Sequence, residues 1–383
     1  MKILMALDYY LPHVSGLSLT VERLARGLSD RGHAVTVLTH QHRNDLPREE
    51  NQGPVRVVRA PVLGRIGKGQ ISPAIVSAAW RELRAADILH LHQPLAPALP
   101  LAFLAQLARV PLIVNYHCDL KLPPGPVNRF LEAVARVSQE FALNRAGAIL
   151  NSTEDYARNT TPLARRLNRF IGIFPPVPDP LPSGATVGEL RERWKIPAGP
   201  VLLFVGRFAA EKGLPDLIAA LPEIRKRFPE ALLLLAGENR DVPGETMGRS
   251  LSPLLNDPGS GVVATGFVPD KDMTSLFELA DVLVLPSTNS TESFGMIQIE
   301  AMLCGLPVVA SDLPGVRQPV LATGMGEISP VSDPAGLARQ IVRVLESPGA
   351  YRRERQQIRQ VFDLEKTFSA YERAYRTAME RGG

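Results

Sequence analysis

Short apolar runs alternate with longer amphipathic ones along most of this chain, and that alternation predicts its elements. The strand-like runs of the first half are K-I-L-M-A-L-D (2–8), H-A-V-T-V-L-T-H (33–40), V-R-V-V-R-A-P (55–61), D-I-L-H-L-H (87–92), V-P-L-I-V-N-Y-H (110–117) and G-A-I-L-N-S (147–152). Between them a helical period predicts helices over 18–31, 73–86, 99–109 and 126–145. Near-continuous apolar strands separated by helices indicate a parallel sheet covered on both faces, a doubly wound α/β domain. The second half repeats the pattern. Its strands are expected at 200–206, 231–237, 261–268, 281–286 and 307–311, and its helices at 214–228, 246–256, 271–279, 294–304 and from 334 onward. A final helical run, 365–381, has no strand after it and is expected to cross back and brace the first domain.

Between the halves, F-P-P-V-P-D-P-L-P-S-G (174–184) holds five prolines, which neither a helix nor a central strand tolerates. The expected organisation is therefore a Rossmann-like domain over 1–175, a Pro-rich linker over 176–184, a second Rossmann-like domain over 185–364, and the returning helix over 365–383. Such sheets bind ligands at the carboxyl ends of their strands, so two of them are expected to face each other across a ligand-holding cleft.

Composition narrows the class. At 383 residues and 45% hydrophobic content the chain can bury two cores. It contains no apolar stretch long enough to span a membrane, and M-K-I-L-M-A-L-D reads as a first strand rather than a leader, so a cytoplasmic protein is expected. Cys118 and Cys304 are too few for a disulfide framework or a metal cluster and are expected to pack as small hydrophobes. Asn-x-Ser/Thr tripeptides at Asn151, Asn159 and Asn289 carry no glycosylation meaning without a leader. The net charge of +4 conceals a division, because residues 1–180 hold 21 Lys and Arg against 14 Asp and Glu. Such a basic half can meet an anionic membrane or acceptor; a dispersed Arg-rich surface explains it equally well. No nucleic-acid partner is expected.

The densest chemistry lies at T-E-S-F-G-M-I-Q-I-E-A (291–301), which joins a buried strand to a helix. Backbone N–H groups around Phe294 to Met296 open that helix and can hold an anion or a sugar hydroxyl. Glu292 stands before the helix and Glu300 about a turn and a half inside it, roughly 8 to 9 Å further along an extended ligand at 1.5 Å per residue. The plainer reading makes them a capping carboxylate and a surface charge. After the first strand of the second half, G-R-F-A-A-E-K-G (206–213) sets Arg207 and Lys212 at a strand end beside glycines. Together they suit the oxygens of a diphosphate; singly, each reads as a solvated charge.

In the first half, L-P-H-V-S-G-L-S places Ser15-Gly16 before a helix, a weak phosphate-loop signal. The absence of G-x-G-x-x-G there argues against a dinucleotide-dependent dehydrogenase. All seven histidines fall within the first 117 residues, with His90 and His92 on one strand face and His117 at a strand's carboxyl end. No H-E-x-x-H or Cys pair completes a zinc site, so no metal is expected, and His117 reads as a partner for a substrate hydroxyl. Finally, the run 126–141 sets Phe130, Val134, Val137 and Phe141 at helical spacing with Arg129 and Arg136 nearby. A helix between parallel strands must bury one face, so this stripe either packs on the sheet or meets a membrane.

Taken in order, G-R-x4-K-G (206–213), A-G-E (236–238), G-F-V (266–268), E-S-F-G-x4-E-A (292–301) and G-x-P-V-V-A (305–310) resemble the family 4 retaining glycosyltransferases of the GT-B fold, as found in bacteria. So do R-G-H-A-V-T-V-L-T (31–39) and D-I-L-H-L-H (87–92). The P-x-V-S-G loop and the Y-H-C-D stretch are similar to those of lipid-directed members such as diacylglycerol glucosyltransferases. The resemblance implies a hexosyltransferase that takes a UDP- or GDP-linked sugar, needs no cofactor, and acts on a lipid or small-molecule hydroxyl, with a peripheral membrane contact in the lipid case. It implies that Arg207 and Lys212 bind the donor diphosphate and Glu300 the ribose. Glu292 and the backbone of Ser293, Phe294, Gly295 and Met296 would hold the sugar and phosphate, and the backbone of Phe267 and Val268 would frame the base. Gly16 would line the phosphates and His117 the sugar's C6 hydroxyl. Ser15 stands where the family's loop more often has a second glycine.

No pair of hydrolase carboxylates is then required, because the leaving diphosphate carries the developing charge and its own oxygen takes the acceptor's proton on the same face. Two other readings are a nucleotide-sugar 2-epimerase and a silent sugar-nucleotide-binding protein. The intact Glu292 to Glu300 motif speaks against the first, and retention of Arg207, Lys212 and Glu300 against the second.

Overall fold

A computed structural model describes the chain except for residues 67–68, 123–124, 239–246, 256, 258 and 383. The chain divides into two compact units, Met1–Pro176 with Leu364–Gly383, and Val177–Asp363. In the first, the sheet runs from edge to edge as Phe170–Gly172, Ala148–Asn151, Leu112–Tyr116, Ile88–Gln93, Lys2–Ala6, Ala34–His40, Val55–Ala60 and Glu49–Gln52. Its pairings are parallel except the last, where Glu50 stands opposite Val57. Strand alternation sends Ile3 and Met5 to one face and Leu4 and Ala6 to the other. On the first face lie Val21, Leu24 and Leu28 of helix Gly16–Asp30; on the second lie helices Ala74–Leu83, Ala98–Ala108 and the carboxyl half of Pro126–Arg145.

The second unit is a parallel sheet in the order Val262–Gly266, Leu232–Ala236, Val201–Val205, Val282–Leu285, Val308–Ser311, Gly326–Ser329. Its chain begins on the central strand Val201–Val205, builds outward to one side, then returns to Val282–Leu285 and builds to the other. Helices therefore leave the carboxyl ends of these two neighbouring strands in opposite directions, which opens a crevice there.

The returning helix spans Leu364–Gly382 and belongs to the first unit. Tyr371, Ala374, Tyr375 and Ala378 are buried in the core beneath helix Gly16–Asp30. Arg31 holds the helix from outside, its Nε donating to Glu372 Oε1 at 3.0 Å, and this guanidinium draws the Glu372 carboxyl down to about 2. Gly27 has to be a glycine, since a Cβ there would lie 2.2 Å from the Phe368 ring of the same helix.

Several elements escaped the apolar pattern. Glu49–Gln52 is E-E-N-Q, an edge strand without an apolar face, and Gly326–Ser329 is another edge strand. The helix expected over 294–304 starts later, at Met296, because Gly295 takes a left-handed φ of 76° as its cap. The helix expected over 246–256 is Met247–Leu255, and both expected end residues lie outside the described residues. The segment expected as a linker is not a loose tether. Val177 is buried, Arg359 donates to Val177 O at 2.6 Å and to Asp179 Oδ1 at 2.8 Å, and Thr274 donates to Leu181 O at 2.6 Å. The residues between the prolines, Val177, Asp179 and Leu181, are thus held by side-chain donors of the second unit. Among the described residues no helix is long and apolar enough to cross a membrane.

The Tyr375 hydroxyl is hydrogen-bonded to His90 Nδ1 at 3.0 Å inside the first core. Tyr375→Ala is expected to cost about 3–5 kcal/mol and Tyr375→Phe, which keeps the ring, about 1 kcal/mol, both read by urea denaturation. Equal costs for the two variants would show that the ring does not carry the packing.

Candidate functional site

Strand Val201–Val205 ends at Gly206, and the chain then turns through Arg207 into the short turn Ala210–Lys212. Phe208 anchors this turn, fully buried at 6.4 Å from the Phe204 ring, while its N–H donates to Glu238 O at 3.2 Å. Gly213 follows with φ +68°, and a Cβ there would fall 1.9 Å from Pro286 O, so the turn packs directly on the loop that leaves Val282–Leu285. Thr288 N–H donates to Glu211 O at 2.9 Å and ties the two loops again. The second loop is braced from within, as Asn289 Oδ1 accepts from Thr291 N at 3.0 Å and Asn289 O accepts from Glu292 N at 3.2 Å.

These braces bring Lys212 Nζ to 2.6 Å from Glu292 Oε2 across the point where the sheet order reverses. Both side chains are only about one-fifth exposed (21% and 17%), so the pair is shielded and its charges interact more strongly than at an open surface. Arg207, more exposed, lies 3.6 Å from Glu211. Thus Arg207, Lys212 and Glu292, far apart in sequence, converge at the carboxyl ends of two adjacent strands.

Four of the remaining candidates of this unit, Ser293 to Met296, were expected to act through their backbone. Ser293 and Phe294 lead into the cap Gly295, with the Phe294 ring buried at 6.4 Å from Phe362. Gln298, fully buried, donates from Nε2 to Phe294 O at 2.8 Å and Val316 O at 2.9 Å, which fixes the approach to Met296. Because the helix begins at Met296, Glu300 stands little more than one turn inside it, about 6 Å from the first helical residue rather than the longer span expected. Phe267 and Val268 follow the edge strand Val262–Gly266, with the Phe267 ring exposed and Val268 buried.

In the first unit, Gly16 opens helix Gly16–Asp30, whose cap Ser15 accepts from Ser18 N at 3.2 Å. A Cβ on Gly16 would meet nothing within 4 Å, so neither packing nor φ requires glycine there. His117 follows strand Leu112–Tyr116. Its Nε2 lies 2.9 Å from His92 Nδ1 and 2.8 Å from the Asn115 amide nitrogen. His92 lies against His90 with ring centroids 4.0 Å apart, and neither Nε2 of that pair has a hydrogen-bond partner among the described residues. Burial pushes His117 and His90 down to about 3 and His92 well below its ordinary value, so all three are neutral imidazoles near pH 7.

Asp8, just past the first strand, was overlooked. It sits where the first sheet reverses order, its Oδ2 accepting from Ala96 N at 3.2 Å, and burial pushes its carboxyl up to about 7. Tyr9, His13 and His42 gather beside it, with Tyr9 4.8 Å from His13 and 5.8 Å from His42. An acidic residue at the end of the first strand was the only available signal, and one such residue is not distinctive.

The imidazole column has a consequence for stability. His90, His92 and His117 take up protons in the unfolded chain below about pH 6.5 but in the folded one only well below that, at about pH 3 for His90 and His117, so their contribution to stability falls as pH drops from about 6.5. The melting temperature of the first unit is expected to fall from pH 7 to pH 5, and less steeply in His90→Phe. An unchanged slope in that variant would mean that His90 is already charged in the folded state.

Comparison with known proteins gives this geometry a family. Residues 187–361 match the model of the glycosyl transferases group 1, and residues 15–169 match that of the glycosyl transferase 4-like domain. The chain is 31% identical to a 2-deoxystreptamine N-acetyl-D-glucosaminyltransferase of Streptomyces fradiae over 85% of its length and 81% of the relative's. It is 28% identical to a phosphatidyl-myo-inositol mannosyltransferase of Mycolicibacterium smegmatis, over 90% and 85% of the two chains. In fold it is similar to Anabaena HepE solved in complex with UDP-glucose, with a TM-score of 0.75, 21% identity, and 97% and 99% of the chains covered. The chain, with its two parallel-sheet units of the GT-B kind, therefore belongs to the group 1 glycosyltransferases and is an enzyme of the hexosyltransferase class.

Proposed function

We propose that the protein is a retaining transferase that moves a hexose from a UDP- or GDP-linked donor to the hydroxyl of a lipid or small molecule, without a cofactor or metal ion, in the cytoplasm. With a lipid acceptor, the first unit contacts the membrane peripherally. The observation that carries this reading is the Lys212–Glu292 pair at the sheet's reversal, with Arg207 on the same turn. The Lys212 charge is paired with the Glu292 carboxylate. A donor diphosphate takes that place, bound by Lys212 and by the Arg207 fork, and Glu292 is released to accept hydrogen bonds from the sugar hydroxyls.

The chemistry follows from where charge develops. As the bond between the anomeric carbon and the diphosphate oxygen lengthens, negative charge grows on the diphosphate, beside Arg207, Lys212 and the amide groups from Ser293 to Met296. The acceptor oxygen bonds to the anomeric carbon on the face being vacated, and its proton passes to the departing phosphate oxygen, so the anomeric configuration is retained. Glu300 takes the ribose hydroxyls and the backbone at Phe267 and Val268 the base. Gly16 contributes bare backbone at a helix start to the phosphates. His117 is suited to a sugar hydroxyl because a neutral imidazole donates from one ring nitrogen and accepts at the other. A silent binding protein or a 2-epimerase is less consistent with an intact Arg207, Lys212, Glu292 and Glu300 in a family of transferases.

The first test is a screen of UDP- and GDP-sugars for thermal stabilisation and slow hydrolysis, followed by NMR of the transferred sugar. A donor that binds and yields a product of inverted anomeric configuration would overturn the mechanism. Arg207→Ala and Lys212→Ala are each expected to lower kcat by about ten- to a thousand-fold with little change in folding. If both variants are folded and fully active, the diphosphate is held elsewhere. Transfer is expected to persist in EDTA; activity lost on chelation and restored by magnesium or manganese would contradict the metal-free reading.

A further inference from the structure

Helix Pro126–Arg145 is fully buried only in its carboxyl half; before Ser138 residues such as Leu131 and Ala135 are half-buried and one face is open. Leu99 N donates to Ser138 Oγ at 2.9 Å and Arg145 Nε to Gln106 Oε1 at 2.9 Å, so this helix and Ala98–Ala108 run side by side in the same direction. Its buried residues are Ser138, Gln139, Ala142 and Leu143, all at or beyond the first of those contacts. The residues from Pro126 to Val137 precede them, about 18 Å of helix at 1.5 Å per residue that reaches past the start of its neighbour. The sequence reading allowed the apolar stripe of this helix to pack on the sheet. Phe141 does, but Val127, Phe130, Val134 and Val137 are between 51 and 68% exposed.

Those four residues fall on one helical face, and an exposed apolar stripe of this kind marks an interaction surface. Its surroundings are cationic. Arg129 and Arg136 flank the stripe, Lys121 precedes it, and among the described residues neither arginine has a carboxylate partner. The nearby acids are already engaged, Glu132 accepting from Leu122 N at 2.6 Å and Glu140 paired with Arg166. We propose that the amino-terminal half of helix Pro126–Arg145 is a docking face for an anionic lipid surface, into which Phe130 and Val134 insert while Arg129, Arg136 and Lys121 meet the head groups. An apolar stripe bordered by unpaired arginines is the make-up of an interfacial helix. A second copy is the poorer occupant, because a two-fold contact would set these cations against themselves. Docking stands whatever the donor; its purpose, to bring a lipid-borne hydroxyl to the enzyme, rests on the transferase reading.

The test is co-sedimentation of the full chain with vesicles of phosphatidylcholine alone or mixed with phosphatidylglycerol, at low and high salt. The parent is expected to sediment with the anionic vesicles and to be released as salt rises. Phe130→Glu/Val134→Glu and Arg129→Glu/Arg136→Glu are each expected to weaken binding about ten-fold or more, and Leu321→Glu, an exposed apolar position of the second unit, to leave it unchanged. Hydrolysis of a soluble donor by the variants reports that they are folded, and since sedimentation needs no catalysis, its outcome is separate from that of the transferase reading. Failure to bind anionic vesicles at low salt, binding by Phe130→Glu/Val134→Glu equal to the parent's, or a dimer that this variant dissolves in a chain indifferent to vesicles would each overturn the proposal.

Discussion

Everything at the candidate site depends on the reversal of strand order between Val201–Val205 and Val282–Leu285. A right-handed crossover in each direction carries the following helices away from each other, so the carboxyl ends of these two strands are the place where the second sheet is left uncovered. Two loops then meet without a helix between them. Their contact is close enough that Gly213 must lack a side chain, and tight enough that Lys212 and Glu292 share a hydrogen bond. A shielded ion pair would be a poor investment in stability by itself, since desolvation offsets much of its Coulomb gain. What the pair does fix is geometry, since it holds the Lys212 ammonium and the Glu292 carboxylate together at the strand ends.

The first unit treats its polar groups differently. His90 and His92 lie on a strand whose residues are all buried, where apolar side chains would cost less. Their neutrality is enforced by burial, and the column they form runs from Tyr375 on the returning helix to His117 at a strand end. The helix that seals this core is thus linked through His90 and His92 to His117. Support of this kind orients a ring and selects its tautomer, which an isolated strand-end histidine could not do for itself.

Exposed apolar residues on helix Pro126–Arg145 show how far a pattern can mislead. A helix between parallel strands must bury a face, and this one does so, but only from Ser138 onward. In its earlier turns Leu131 and Ala135 are half-buried, while Val127, Phe130, Val134 and Val137 lie exposed on another face. Amphipathic spacing reports that a face seeks cover and is silent about what provides it.

The sequence alone determined the parallel-sheet class, since buried strands such as D-V-L-V-L-P and A-L-L-L-L-A-G are apolar throughout and no other arrangement covers both faces. It also marked Arg207, Lys212, Glu292 and Glu300 as candidates through strand-end position and resemblance. Short polar edge strands such as Glu49–Gln52 were illegible because their order comes from pairing with Val55–Ala60, not from an apolar face of their own. Folding in three dimensions was needed to show that Lys212 bonds to Glu292, that Val177 and Leu181 are held by Arg359 and Thr274, and that burial pushes the Asp8 carboxyl up to about 7. Each of these is a contact between segments remote in sequence, or a desolvation set by several of them at once. Periodicity and spacing are local, and carry no information about which remote segment a side chain will meet.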